Sequence, residues 1–267
     1  MEKFRCIQKN EKNTNQLWDN LWKSNTSTEE DIFNLLKEEN SIRWQRLEKI
    51  VLDNFESFEG LKVIEIGAGA GTNAALMAKR GAQVTVLDYS DNALKASRMF
   101  FDRNGLSAEF VKQDALSLPV ELLNKHDISM SFGLVEHFIG SDRININKAH
   151  FDVLKQGGIA FISAPHKNNP PYRIFKFIAE HVGQWHVGEE YPYNKKEFSK
   201  ICKQIGINNY SFFGDSFWWS LQFISPVKIF KKIFKITNNF NINTLKKEKG
   251  TPFDKYLSYA LVLCGKK

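Results

Sequence analysis

The chain of 267 residues has no uninterrupted apolar run near the roughly 18 residues that a membrane span requires. Its first residues, MEKFRCIQKNEKNTNQ, lack the apolar stretch of a secretory signal. These two absences predict a cytoplasmic protein. Cysteine is scarce: Cys6, Cys202 and Cys264 are odd in number and far apart, which excludes a disulfide framework and a clustered zinc pattern. No internal period is present, which excludes a repeat array. Arginine is missing between residues 195 and 250, where eleven lysines face three acids, a local charge of +8 in a chain whose total is +7. Any basic face therefore belongs to the C-terminal part, and the remainder is close to neutral.

Hydrophobic residues make up 42% of the chain and aromatic residues 13%, enough for one α/β domain with additions. Residues 1–58 read as a helical cap. Leu17, Trp18, Leu21 and Trp22 fall at helical spacing, Thr28 followed by three acids reads as a capped helix start, and a third helix is predicted from Ser41 to Phe55. From residue 59 the texture alternates. LKVIEIG, AQVTVLD, AEFVKQD, HDISMSF and GIAFISA read as strands separated by helices, and runs that are apolar on both faces predict a parallel sheet covered on both sides. NKKEFSKICKQIG is predicted as a helix, NNYSFFG as a strand and YLSYALVLCG as the last strand, with lid-like segments at about 166–194 and 215–254.

The segment VIEIGAGAGTNAA places Gly67, Ala68, Gly69 and Gly71 where the first strand turns into a helix, so that backbone can approach a ligand at a helix N-terminus. Its spacing is GxGxG with an acid, Glu65, two residues ahead; the third glycine of a dinucleotide GxGxxG would fall at Thr72. Asp88, followed by Tyr89, ends the second strand, where a carboxylate can accept both hydrogen bonds of a ribose diol. Asp114 and Ala115 end the third, where an acid and a backbone N–H can read an adenine edge.

With these motifs the sequence resembles the class I S-adenosylmethionine-dependent methyltransferases, in particular the broad small-molecule branch that often acts on quinones, sugars, lipids and natural products. The resemblance covers about residues 41–165 and, more loosely, 195–214 and 256–267, through EIGAGAG, LDYS, QDAL, SFGLVEHF and LKQGGIAFISAP. It implies a Rossmann-like, seven-stranded, mostly parallel sheet with an antiparallel last strand, the helical cap in front and an insertion before the last strand. It also implies S-adenosylmethionine as methyl donor and S-adenosylhomocysteine as product. Glu65 and the glycine loop would lie near the methionyl part, Asp88 on the ribose, Asp114 on the adenine, and Phe132 and Gly133 at the end of the fourth strand.

Asn169, Pro170, Pro171 and Tyr172 spell NPPY, the tetrapeptide with which adenine-N6 DNA methyltransferases hold an exocyclic amine, but there it follows the fourth strand. Here SFGLVEHF occupies that place, and NPPY follows the fifth strand as a proline-stiffened connection. A lysine excess without arginine also suits base reading poorly. No specific nucleic acid is expected, and the acceptor is expected to be a small molecule.

A sulfonium donor needs alignment, exclusion of water and, for a hydroxyl acceptor, a proton acceptor. His137, His166 and His186 are the candidates, each weighed against an ordinary packing role. No metal is expected, because the acid that stands three residues before the EH pair in metal-binding quinone O-methyltransferases is replaced by Gly133. In the segment 217–236, FWWSLQFISPVKIFKKIFKI, the residues from Pro226 onward place apolar and lysine side chains on opposite sides of a helix, preceded by Trp218 and Trp219. That helix is either a lid over the acceptor or a peripheral contact with an anionic membrane at its inner face. Methylation at nitrogen or carbon, a noncatalytic donor-binding role and a nicotinamide oxidoreductase are the alternatives to oxygen methylation. The acceptor and the oligomeric state are not encoded in any recognisable motif.

Overall fold

A computed structural model of the protein describes residues 15–22, 27–185, 187–224 and 241–267. Seven strands form one sheet in the order β3-β2-β1-β4-β5-β7-β6: β1 Lys62–Ile66, β2 Gln83–Asp88, β3 Glu109–Lys112, β4 His126–Phe132, β5 Leu154–Pro165, β6 Asn209–Gly214 and β7 Ala260–Lys266. The pairs β1–β2, β1–β4, β2–β3 and β4–β5 are parallel, whereas β7 runs antiparallel between β5 and β6. This is the predicted Rossmann-like sheet with its antiparallel last strand.

Alternate residues of each strand feed two cores. Val63, Val86, Met130 and Phe161 pack with α2 (Thr28–Glu39), α3 (Ile42–Phe55), α4 (Thr72–Lys79) and α5 (Asp91–Arg103) on one face. Ile64, Leu87, Ala160 and Ile162 pack with α6 (Gly140–Asp152) and α8 (Lys195–Gln204) on the other. The helical cap is anchored by Trp44, Leu47 and Val51, which are fully buried on one stripe of α3; each such side chain contributes on the order of 2 kcal/mol. Arg80 stacks 4.7 Å from the Trp44 ring and pairs with Glu39 and Glu48, tying α2 and α3 to the end of α4.

Four local readings are corrected. The cap of α2 is Ser27, whose hydroxyl accepts from the Glu30 N–H, rather than Thr28. Strand β5 begins at Leu154, earlier than GIAFISA, because the register shifts between His126 and Ile128 and a left-handed Gly157 (φ 85°) absorbs the extra residues. Tyr256 and Leu257 belong to a short helix, Asp254–Leu257, and β7 starts only at Ala260. The stretch after Pro165 is more than a proline-stiffened connection: Pro170 and Pro171 open the twelve-residue helix α7, Pro170–His181. Proline suits these positions because the first helical N–H groups have no acceptor within the helix.

Asn169 is the N-cap of α7 and is fully buried. Its Oδ1 accepts from the Tyr172 N–H at 2.8 Å, while Nδ2 donates to Ser220 Oγ and to the carbonyls of Leu257 and Ser258. The asparagine of NPPY is thus spent on joining the β5–α7 corner to α9 (Phe217–Leu221) and to the entry of β7. The helix read from Pro226 onward lies outside the described residues, as does Cys6; Cys202 is buried and Cys264 half-buried, both as free thiols. No helix among the described residues is long and apolar enough to cross a membrane.

Asn169→Ala leaves one capped N–H, a hydroxyl and two carbonyls without this partner, and should lower unfolding stability by about 2–3 kcal/mol. Urea denaturation followed by circular dichroism measures it; an unchanged midpoint would contradict the role given to this side chain.

Candidate active site

Because the first five strands are parallel, their C-terminal ends share one edge of the sheet, and the motif residues meet there. Between β1 and α4 the backbone turns through Gly67, Gly69 and Gly71, all left-handed at φ 64°, 55° and 71°. Side chains are costly in that conformation, and there is no room for them. A Cβ at Gly69 would lie 2.2 Å from the Trp22 ring, and one at Gly67 would lie 2.6 Å from Leu134. Glu65 is buried, and its carboxylate accepts from the Ala74 N–H at 2.7 Å, holding the first turn of α4 against β1. Burial pushes its pKa up to about 8.

Asp88 closes the second side. Its Oδ2 accepts from the Gly69 N–H at 3.0 Å and its Oδ1 from the Ser90 N–H at 2.9 Å, so the carboxylate braces the glycine loop while burial raises its pKa. A carboxylate offers about four acceptor directions, which leaves capacity for a diol. Tyr89 follows, half-buried. Asp114 accepts from the Leu116 N–H at 2.9 Å, and Ala115 beside it is buried. Phe132 and left-handed Gly133 end β4. The predicted strand ends therefore do converge. Over them lies α1, Asn15–Leu21, whose Asp19 accepts from the Ser90 hydroxyl and, through its carbonyl, from Asn92 Nδ2.

A cavity of about 370 Å³ opens beside the glycine loop. One wall is Glu65, Ala68, Gly71 and Phe132; the facing wall comes from the cap and from the segments around β6 and β7. Arg43 reaches it from α3. Its Nε and Nη2 form a fork on Glu38 at 3.0 and 2.8 Å, and its guanidinium lies 4.8 Å from the Phe132 ring centre. Lys37 stands 5.2 Å from the ring centre of Trp219, which stacks on Tyr259. Asp215, directly after β6, exchanges backbone and side-chain hydrogen bonds with Ala260, and burial pushes its pKa up to about 7.

The histidines sit elsewhere. Among the described residues lining this cavity there is none. His137 turns Nδ1 to the Glu189 carbonyl at 2.9 Å, so that nitrogen carries the proton, and its ring meets Trp18 edge-on at 4.6 Å. Burial lowers its pKa to about 4. His166 is buried at the end of β5; its backbone N–H donates to the Tyr259 carbonyl and its Nδ1 has no partner among the described residues. Burial, with the Lys195 charge, lowers its pKa to about 4. His186 lies outside the described residues.

A second cluster adjoins His137. One ligand atom each of Glu136, His137 and Glu190 lie within 4.8 Å of one another. Glu190 accepts from the Tyr172 hydroxyl at 2.6 Å, whereas Glu136 Oε2 is buried without a partner. Burial and the neighbouring Glu190 charge push the pKa of Glu136 well above the usual carboxylate range. The acid missing at Gly133 is thus matched by one from a later loop, which no local spacing rule could find.

The model of a methyltransferase domain matches residues 63–158. Among curated proteins, the chain is 24% identical over 184 residues to a ubiquinone biosynthesis O-methyltransferase of Rickettsia prowazekii, covering 69% of this chain and 68% of the relative. It is 31% identical over 133 residues to the enzyme of that name from Stutzerimonas stutzeri, covering 50% of this chain and 56% of the relative. Among solved structures, magnesium protoporphyrin IX methyltransferase from Synechocystis with bound S-adenosylhomocysteine superposes with a TM-score of 0.55 at 13% identity, covering 94% and 93% of the two chains. A methyltransferase from Archaeoglobus fulgidus gives 0.52 at 15% identity, covering 84% and 94%.

Residues 63–158 form a methyltransferase domain, and the fold is that of the class I S-adenosylmethionine-dependent methyltransferases. The chain is an enzyme that uses this donor on a small-molecule substrate. The residues of the methyltransferase that the sequence did not single out are Arg43, Lys37, Asp215 and Tyr259, together with Glu190. Asp215 had one available signal, its place at the C-terminal end of a strand parallel to β5.

Asp88→Ala should weaken S-adenosylhomocysteine binding by about ten- to a hundredfold, the loss of one or two hydrogen bonds to a charged group. Isothermal titration calorimetry reads this directly, and an unchanged affinity would remove Asp88 from the nucleoside site.

Proposed function

We propose that the enzyme transfers the methyl group of S-adenosylmethionine to a hydroxyl oxygen of an acceptor with substantial ring or apolar surface. The observation that carries this reading is the single cavity in which Glu65, Ala68 and Gly71 of the donor loop face Trp219 and Tyr259. A nucleoside laid on Asp88 and Asp114 directs its sulfonium toward Phe132, and a ring held by Trp219 and Tyr259 comes to the other side of the methyl carbon. The names of the curated relatives, O-methyltransferases of ubiquinone biosynthesis, support oxygen as the acceptor atom and an aromatic ring as its carrier.

In this arrangement Glu65 receives the methionyl ammonium, Gly67, Ala68, Gly69 and Gly71 shape the loop around the methionyl chain, Tyr89 flanks the ribose, and Ala115 presents its N–H to the adenine. Phe132 and Gly133 border the reacting carbon. The protein contributes alignment and exclusion of water; the electrophile is supplied by the donor. Residues 1–58 and 215–254 act as the roof over a methyltransferase domain that begins near residue 59. Trp218, 58% exposed, supports a peripheral membrane contact of 217–236 at the cytoplasmic face, with an acceptor delivered from the lipid phase. His137 orients the loop carrying Glu189 and Glu190 toward the acceptor side.

A second reading, with a divalent cation on Glu136, His137 and Glu190, is favoured by the partnerless Glu136 Oε2. In the first reading no metal takes part.

Methyl-labelled donor, incubated with the enzyme and with separated membrane and aqueous cell extracts, should label a base-stable ether in the organic extract of the membrane fraction. Label confined to water-soluble products would make 217–236 a lid, and label on an amine or carbon would replace the oxygen reading. EDTA should leave turnover unchanged; loss with recovery on adding Mg²⁺ would select the cation reading. His137→Ala should lower turnover more than donor affinity, and turnover equal to wild type would leave His137 a packing residue.

A further inference from the structure

Oxygen methylation of a neutral hydroxyl leaves a proton to be placed, and among the described residues no histidine lines the cavity in which the methyl group would move. Five side chains with an ionisable oxygen do line it: Glu38, Glu65, Asp215, Glu248 and Tyr259. Glu38 is committed at both oxygens to the fork on Arg43 and also accepts from Ser41 Oγ. Glu65 is on the donor side, bound to the first turn of α4. Glu248 accepts from the Ile42 N–H through Oε2 and, unlike Asp215, is only half-buried. Tyr259 is held protonated, its pKa raised by burial and by the Glu190 and Glu136 charges.

Asp215 differs from all four. Its Oδ1 is fixed by the Ala260 N–H at 2.9 Å, so the carboxyl cannot swing, and Oδ2 accepts no hydrogen bond among the described residues. The side chain is only 8% exposed, and what it faces is the cavity. Its neighbours on the cavity wall, Trp219 and Tyr259, are the rings that would hold an acceptor. We infer that Asp215 is the catalytic base of the reaction, taking the acceptor hydroxyl proton on Oδ2; this rests on the oxygen-methylation reading above.

The step balances without a further reactant. The hydroxyl oxygen attacks the methyl carbon, the carbon–sulfur bond breaks with its electron pair passing to sulfur, and the O–H proton moves to Asp215. The products are the methyl ether, neutral S-adenosylhomocysteine and a carboxylic acid that returns its proton to solvent. A carboxyl whose pKa lies at about 7 is well matched to this task near neutral pH. By contrast, burial leaves His137 and His166 at about 4, weak acceptors of a proton.

The groups that set the ionisation of Asp215 come from every element around it. Burial holds the proton on; Arg43 from α3 favours its loss, and Glu38 from α2 and Glu248 from the C-terminal segment oppose that loss. Glu65 and Tyr259 also face the cavity, as does Lys37. The Arg46–Asp254 ion pair adjoins Asp215, since Arg46 also binds the Gly214 carbonyl. An added sulfonium favours the carboxylate further. Turnover therefore rises with pH through an acid limb whose midpoint lies at or below about 7, reporting loss of the Asp215 proton.

The test is Asp215→Asn, which keeps an oxygen for the Ala260 N–H and so preserves the corner. Methyl-tritiated donor and protein-free cell extract serve as reactants, with S-adenosylhomocysteine affinity measured by calorimetry on the same preparations. Expected are a fall in kcat of about a hundredfold or more, donor-product affinity changed less than about threefold, and loss of the acid limb. Asp215→Glu should recover part of the rate and restore the limb. Full turnover in Asp215→Asn, or an acid limb that survives in it, would overturn the assignment. If wild type yields labelled amine or carbon products, or none, the oxygen reading itself fails, and the inference with it.

Discussion

Parallel pairing of β1 with β2 and β4 is the constraint on which the site depends. Each crossover returns the chain to the same end of the sheet, so Gly67, Asp88, Asp114 and Phe132, far apart in sequence, come to a single edge. The glycine loop does not stand alone there. Asp88 holds it from β2, and Glu65 holds the helix that follows it from β1. Two buried carboxyl groups thus fix the position of backbone N–H groups before any ligand arrives, in surroundings whose low polarity raises both pKa values.

The roof has a different character from the sheet beneath it. The sheet is built from aliphatic strands, whereas the cavity wall opposite the loop is built from charges and rings held in pairs: Arg43 on Glu38, Arg43 against Phe132, Lys37 against Trp219, Trp219 on Tyr259. Pairing is what allows charged side chains to remain in a largely dehydrated space, since an isolated charge there would be strongly disfavoured. The same logic marks Glu136 as an exception. It is buried, beside another acid, with one oxygen unpartnered, and its pKa is raised by that burial and by the Glu190 charge.

Much of the sheet was legible in the sequence because both signals involved are local. Apolar runs of strand length and glycines at helix starts depend on adjacent residues, and they located the seven strands and the glycine turn; the antiparallel direction of the last strand came from the family resemblance. The errors came where tertiary contacts override local pattern. Asn169-Pro-Pro reads as a connection until Ser220 and the carbonyls of residues 257 and 258 are brought to its side chain. Tyr256 and Leu257 read as strand until the Asp254 cluster with Arg46 and Thr251 bends the chain into a helical turn. Glu190, Arg43 and Asp215 carry no motif, because the groups they face come from distant segments. Of the histidines chosen for their chemistry, His137 holds the Glu189 carbonyl and His166 is buried at the end of β5, and neither lines the cavity beside the glycine loop.

The position of β7 has a bearing on how the molecule is made. This strand comes last in the chain, yet it lies inside the sheet, with β5 on one side and β6 on the other. Until residues 260–266 have left the ribosome, β5 has an open edge and β6 has no strand to pair with. Ala260, whose N–H fixes Asp215, arrives in the same late step. Strands β1 to β4 can therefore pair before β7 is made, whereas the corner that holds Asp215 forms only once Ala260 is present.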